Sequence, residues 1–145
     1  MIARVLVDTG PLVAIFSKRE QDHKICVECL RRLEGPLFTC WPVVTEALWL
    51  LRNNPRAIET LLTNFDGNLL ALLPMDESSL EWIGRFMRRY AKLGAQLADA
   101  SLIYLAEQQG FETIFTLDRR DFSVYRLPGN RAVQNHPLTS VRPGG

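Results

Sequence analysis

The chain has 145 residues, 47% hydrophobic and 23% charged, with a net charge of +1. This is the length and make-up of one soluble globular domain with a full core, and it excludes a global field that would by itself announce nucleic acid. Cys26, Cys29 and Cys40 are odd in number and fit no disulfide framework, which points to a reducing, cytoplasmic setting. The apolar N-terminus is interrupted by Asp8 and has no small-residue cleavage site after it, so it reads as no secretory signal, and no run approaches the ~18 apolar residues of a membrane span.

Ile2 to Val7 is a nearly continuous apolar run, as in a central parallel strand. Asp8-Thr9-Gly10-Pro11 ends it, and Pro11 suits the first turn of a short helix, Leu12 to Phe16. Asp8 is therefore a carboxylate at a strand's C-terminal end. Gln21 to Leu33 reads as an amphipathic helix with Ile25, Cys29, Leu30 and Leu33 on its apolar face. The Cys26-x-x-Cys29 pair invites a zinc reading, but a second paired-ligand half is missing, and small apolar residues packed on a helix explain it better.

Leu37 to Cys40 is a strand, and a helix then runs from Pro42 through Leu51. Val43, Glu46, Trp49 and Leu50 share one helical stripe, so Glu46 is either an acid aimed inward or an ordinary surface Glu at the stripe's edge. Pro55 to Phe65 is a further helix, Asp66-Gly67-Asn68 a turn, and Leu69 to Leu73 a buried strand. Asp76 caps a helix spanning Glu77 to Tyr90, with Leu80, Ile83, Met87 and Tyr90 toward the core. Arg85, Arg88, Arg89 and Lys92 line the same helix at helical spacing. They read either as a solvated face or as a ridge that contacts phosphates or an acidic partner.

Gln96 to Gly110 is a helix stopped by glycine, with Asp99, Leu102, Ile103 and Ala106 on one face. Thr113 to Thr116 is a short buried strand ending at Leu117-Asp118, and Arg119, Arg120 and Asp121 crowd the turn that follows. Ser123 to Arg126 is an extended edge, Leu127 to Asn130 a turn, and Arg131 to Gln134 a last strand.

Strands alternating with helices make a parallel sheet whose C-terminal edge collects Asp8 and Asp118. Helices leaving that edge begin beside it, and so bring Glu46 and Asp99 to the same place. Two like charges ~4 Å apart at an effective dielectric of ~20 repel by roughly 4 kcal/mol. A hard divalent ion relieves this, and oxygen-only donors suit Mg²⁺ or Mn²⁺. Such a site fits phosphodiester hydrolysis by metal-activated water, since His23 and His136 lie outside the acidic segments and no Ser–His or Cys–His pair appears.

Four stretches carry a resemblance: VLVDTGPLVA at 5–14, VVTEALWLL at 43–51, LADASLIYLA at 97–106 and TIFTLDRRDF at 113–122. Together, and in this order, they resemble the PIN-domain ribonucleases, most of all the VapC-type toxins of toxin–antitoxin pairs. The resemblance implies a three-layer α/β/α fold with a central parallel sheet of four to five strands over residues 1–135, and Pro137, Pro143 and the two final glycines make 136–145 read as a loose tail. The resemblance also implies that Asp8, Glu46, Asp99 and Asp118 are the catalytic acids. Asp8, Asp99 and Asp118 are its metal-binding set, with Asp8 and Asp99 the direct Mg²⁺ ligands and Glu46 and Asp118 completing or water-bridging the shell. Mn²⁺ would substitute. Thr9, Thr116 and Asp121 are supporting groups, and the RNA-binding residues would be Arg85, Arg88, Arg89, Lys92, Arg119 and Arg120. The first motif has Gly10 where many relatives carry Ser, which leaves Thr9 as the local hydroxyl. An RNA substrate, a cognate antitoxin and a homodimer are the implied partners, with no membrane. A PIN fold without catalysis, serving as an RNA- or protein-binding module, is the alternative. A haloacid-dehalogenase-type phosphatase needs a second acid two residues after Asp8, where Gly10 stands.

Overall fold

The computed structural model describes residues 4–66 and 69–118 with their side chains, and the backbone of 126–127, 131–132 and 134–136. Its order is β1 (Val5–Val7), α1 (Thr9–Phe16), α2 (His23–Arg31), β2 (Leu37–Thr39), α3 (Trp41–Leu50), α4 (Pro55–Thr63), β3 (Leu70–Leu72), α5 (Leu80–Arg89), α6 (Leu97–Gln109), β4 (Thr113–Phe115), β5 (Arg126–Leu127), β6 (Arg131–Ala132) and β7 (Gln134–His136).

Five of these strands form one parallel sheet in the order β3-β2-β1-β4-β7. The first strand is thus central. Val5, Leu6 and Val7 are all buried, as the continuous apolar run requires of a strand covered on both faces. The chain steps outward from β1 through β2 to β3, then returns to lay β4 on the other side of β1. The helices pack as one group of α1 with α2, α3 and α4 and another of α5 with α6, with α3 also meeting α6, around the sheet of a three-layer fold.

Leu6, Leu12, Leu37, Leu61, Leu70, Leu102, Ile103 and Phe115 fill the core. On α6, Leu102, Ile103 and Ala106 are buried as the spacing predicts, and Gly110 ends the helix at φ 73°, a left-handed conformation that costs other residues. An aromatic cluster holds α5 to α6. Trp82 stacks on Phe86 at 5.4 Å and meets Tyr104 edge-on at 5.5 Å, and its indole Nε1 donates to Glu107 Oε2 at 2.6 Å.

Three helices bury part of their expected faces, Cys29 on α2, Val43 on α3 and Ile83 on α5 among them, and differ in the rest. On α2 the buried residues are Cys26 and Cys29, while Ile25 is exposed. On α3 they are Val43, Val44 and Ala47, leaving Trp49 and Leu50 in solvent. On α5 Ile83 and Phe86 face inward and Leu80 is 63% exposed. In each case several apolar residues compete for one stripe, and the packing partner chooses among them. The Asp76-capped segment also opens differently, as one 3₁₀ turn at Glu77–Ser79 that leads into α5. The last sheet strand is Gln134–His136 rather than 131–134, because Arg131–Ala132 pair antiparallel with Arg126–Leu127. Residues 1–3, 67–68, 119–125, 128–130, 133 and 137–145 lie outside the described residues. They include Arg119, Arg120, Asp121 and most of the expected tail.

Candidate active site

The winding of the sheet reverses at β1, and the crevice at such a reversal, beyond the strand C-termini, is where α/β proteins hold ligands. Asp8 stands there. Its backbone N–H donates to Phe115 O at 3.0 Å, which carries the β1–β4 ladder one residue further. Its side chain is the N-cap of α1: Oδ1 accepts from the Thr9 N–H at 2.8 Å. α1 therefore begins at Thr9, earlier than Pro11 suggested.

Thr116, immediately after β4, ties two acids together. Its fully buried Oγ1 donates to Asp8 Oδ2 at 2.9 Å and accepts from the Asp118 backbone N–H, also at 2.9 Å. One hydroxyl thus joins residues 108 positions apart in sequence and aims the turn that carries Asp118. The Asp118 carboxylate itself is exposed.

Asp8 is only 8% exposed, and among the described residues it forms no salt bridge. Burial pushes its carboxyl from an ordinary 3.8 up to about 7. The Thr9 amide pulls it down, the negative charge of Asp99 raises it, the Thr116 hydroxyl lowers it, and the charge of Glu46 raises it again. The two helix-borne acids are thus close enough to act on Asp8 through space. Asp99 sits in the first turn of α6, and Glu46 is a half-buried residue of α3.

The four sequence-derived acids therefore converge unequally. Asp8 is the centre, Asp99 and Glu46 act on it electrostatically, and Asp118 is attached through Thr116. Among the described residues, no three acidic, His or Cys side chains are drawn tightly enough together to cage an ion as they stand. The donor chemistry nonetheless suits a hard divalent cation: the groups are oxygens, and a buried hydroxyl, Thr9 Oγ1, lacks a hydrogen-bond partner beside the central carboxylate. Arg85, Arg88, Arg89 and Lys92 are all exposed on and just after α5.

Sequence reading misses one neighbour. The buried thiol of Cys40, at the end of β2, feels the charge of Asp8 and is held up at about 11, chiefly by its own burial. Its place after a β-strand was the only hint in the sequence, and at that value it stays a neutral thiol.

The PIN domain model matches residues 5–127. The chain belongs to the PIN-domain family. It is a VapC-like member, being 31% identical over 127 residues to Ribonuclease VapC26 of Mycobacterium tuberculosis, a match covering 86% of this chain and 94% of that protein. Among solved structures, this PIN protein is similar to M. tuberculosis VapC20, described as a Sarcin-Ricin loop cleaving toxin, with a TM-score of 0.72 and 14% identity over 80% of this chain and 91% of that one. It is also similar to VapBC2 of Rickettsia felis bound to a DNA fragment from its promoter, with a TM-score of 0.61 and 15% identity over 94% of this chain and all of that one. At these identities the two structures show a shared fold.

Proposed function

We propose that this PIN protein is a Mg²⁺-dependent endoribonuclease, the toxin of a toxin–antitoxin pair. The observation that carries the reading is a buried carboxylate, Asp8, at the switch point of a parallel sheet, with Asp99 and Glu46 pressing further negative charge upon it. A ribonuclease relative aligned over most of the chain supports RNA as the substrate, and the R. felis VapBC2 likeness supports an antitoxin partner.

In this reading Asp8, Asp99 and Asp118 hold the ion and Glu46 completes the acidic set. A bound Mg²⁺ or Mn²⁺ would supply the positive charge that acidifies a water and screens the phosphate. The chain's own contribution is orientation. Thr9 and Thr116 each direct a hydrogen to a different oxygen of Asp8, so the carboxylate is held in one rotamer. Thr116 also holds the backbone at Asp118, and Asp121 is the outer acid of the reading. Burial of Asp8 raises its carboxyl to about 7, so a nearby cation would favour its ionised form. Arg85, Arg88, Arg89 and Lys92, with Arg119 and Arg120, would meet the RNA backbone. A cytoplasmic home and a homodimer complete the reading. Exposed Trp41, Trp49 and Leu50 on α3 offer the apolar surface for a second copy, and no helix among the described residues is long and apolar enough to cross a membrane.

Purified protein incubated with total cellular RNA should cleave it with Mg²⁺ or Mn²⁺ and not with EDTA. Asp99→Asn and Glu46→Gln should each reduce cleavage at least 100-fold while leaving the fold intact. RNA bound tightly but never cut would establish the non-catalytic module instead. Growth arrest on expression, relieved by the product of an adjacent small open reading frame, tests the toxin role.

A further inference from the structure

A cavity of about 380 Å³ opens between the C-terminal end of α1, the start of α2 and the N-terminal half of α4. Lys18, Arg19, His23 and Arg56 line it together with Asn54, and no carboxylate is among its walls. Lys18, Arg19 and Arg56 are exposed, and none makes a salt bridge with a described residue. His23 Nδ1 lies 2.6 Å from Ala14 O; a carbonyl only accepts, so Nδ1 carries the hydrogen and Nε2 is the ring's remaining polar atom. Asn54 caps α4 by accepting from the Ala57 N–H at 3.2 Å, so the positive end of that helix dipole adds to the same cavity.

We propose that this cavity grips a backbone phosphate of the RNA strand away from the bond that is cut. The inference rests on the ribonuclease reading and adds to it a binding site distinct from the acidic edge. Folding brings Arg56 to the same cavity as Lys18 and Arg19, segments far apart in sequence, so an anion entering it would meet three cationic side chains. Two guanidinium forks and an ammonium match a phosphodiester. The eight residues of α1 run from Asp8 to the cavity, a rise of about 12 Å, so this phosphate is not the one at the reacting bond.

RNA is favoured over an acidic protein segment by the character of the catalytic edge. Asp8, Glu46, Asp99 and Asp118 repel a polyanion, so a strand that reaches them must be held by cations elsewhere. A protein partner has no such need. The cavity is also concave, whereas the basic residues of α5 stand on a convex helix face.

The test uses full-length Asp99→Asn protein, which binds without cutting, and a fluorescent single-stranded RNA titrated by anisotropy at several salt concentrations. Adding Lys18→Ala, Arg19→Ala and Arg56→Ala together should weaken binding at least tenfold at moderate salt. The slope of log affinity against log salt should become less negative by about 2, at ~0.7 for each phosphate charge the protein no longer neutralises. Arg56→Gln alone, a single exposed change that leaves folding intact, should account for about a third of that slope change. Equal affinity and slope in parent and variants would overturn the proposal. So would loss of antitoxin binding with RNA binding unchanged, which would give the cavity to a protein partner. If the parent binds no RNA and the wild type cuts none, the ribonuclease reading fails first and takes this one with it.

Discussion

Replacing Asp8 by Asn should make the protein more stable at alkaline pH, and the structure says by roughly how much. The Asp8 carboxyl rises from 3.8 to about 7 in the folded chain. At ~1.36 kcal/mol per unit, holding it ionised costs the fold about 4 kcal/mol. Below the ordinary value the acid is protonated in both states and the cost is absent. As pH rises from 3.8 to about 7 the unfolded chain gives up its proton first, so stability falls across that window, and above it the whole cost is present. Asn stays neutral and still caps Thr9, but it offers an N–H where Thr116 now donates its hydrogen. Losing that bond costs about 1–2 kcal/mol, which leaves a net gain of roughly 2–3 kcal/mol at pH 8. For a chain of this size that raises the Tm by roughly 5–10 °C. The assay is thermal unfolding in EDTA at pH 4 through 9, with Asp8→Asn beside wild type. At pH 4 the order should reverse, because only the lost hydrogen bond remains. A variant that melts no higher than wild type at pH 8, or by the same margin at both pH values, would refute the buried, charge-crowded picture of Asp8.

Divalent-ion affinity should follow the same carboxylate. Calorimetric titration with Mg²⁺ should show affinity rising up to about tenfold per pH unit below 7 and levelling above it, because the ion needs the ionised form. Thr116→Val removes the donor to Asp8 Oδ2 and the acceptor for the Asp118 N–H, and should destabilise by about 1–3 kcal/mol in denaturant titrations. It should also shift the Mg²⁺ pH profile upward, since the hydroxyl normally lowers the Asp8 value. Gly110→Ala forces a Cβ into a left-handed position at φ 73° and should cost about 1–2 kcal/mol, read by the same titration, with no effect on Mg²⁺ binding.

Much of this arrangement is legible in the residues. Val5–Val7 could only be a strand covered on both faces, and an acid directly after it had to stand at a sheet edge. The Asp99, Leu102, Ile103, Ala106 spacing named three residues of α6 that are buried, but Ala98, Ala100, Ser101 and Leu105 are buried too, because this helix is covered on more than one side. α3 shows where such reading stops. It carries apolar residues nearly all round, so periodicity alone did not say that Val44 and Ala47 would be buried while Trp49 and Leu50 stayed in water. α5 departs at one residue for a related reason: Ile83 and Tyr90 are buried and Met87 packs on the core as expected, but Leu80 stays exposed and Phe86, packed on Trp82, is buried. The Thr116 bridge and the basic cavity depend on pairs of residues that meet only in three dimensions. Charge, exposure and motif order gave no sign that Arg56 would stand beside Lys18 and Arg19.

The carboxylate at position 8 begins a helix as well as the proposed reactive centre, and that double employment bears on how silent relatives would be recognised. A chain that had given up chemistry would still gain from an Asp or Asn there to hold the start of α1. Finding an oxygen-bearing side chain at that point therefore says little about whether such a molecule still works. Glu46 is the more telling marker. It lies in mid-helix, caps nothing, and acts through its charge on Asp8. Its loss would spare the architecture, so its persistence needs the reaction as a reason.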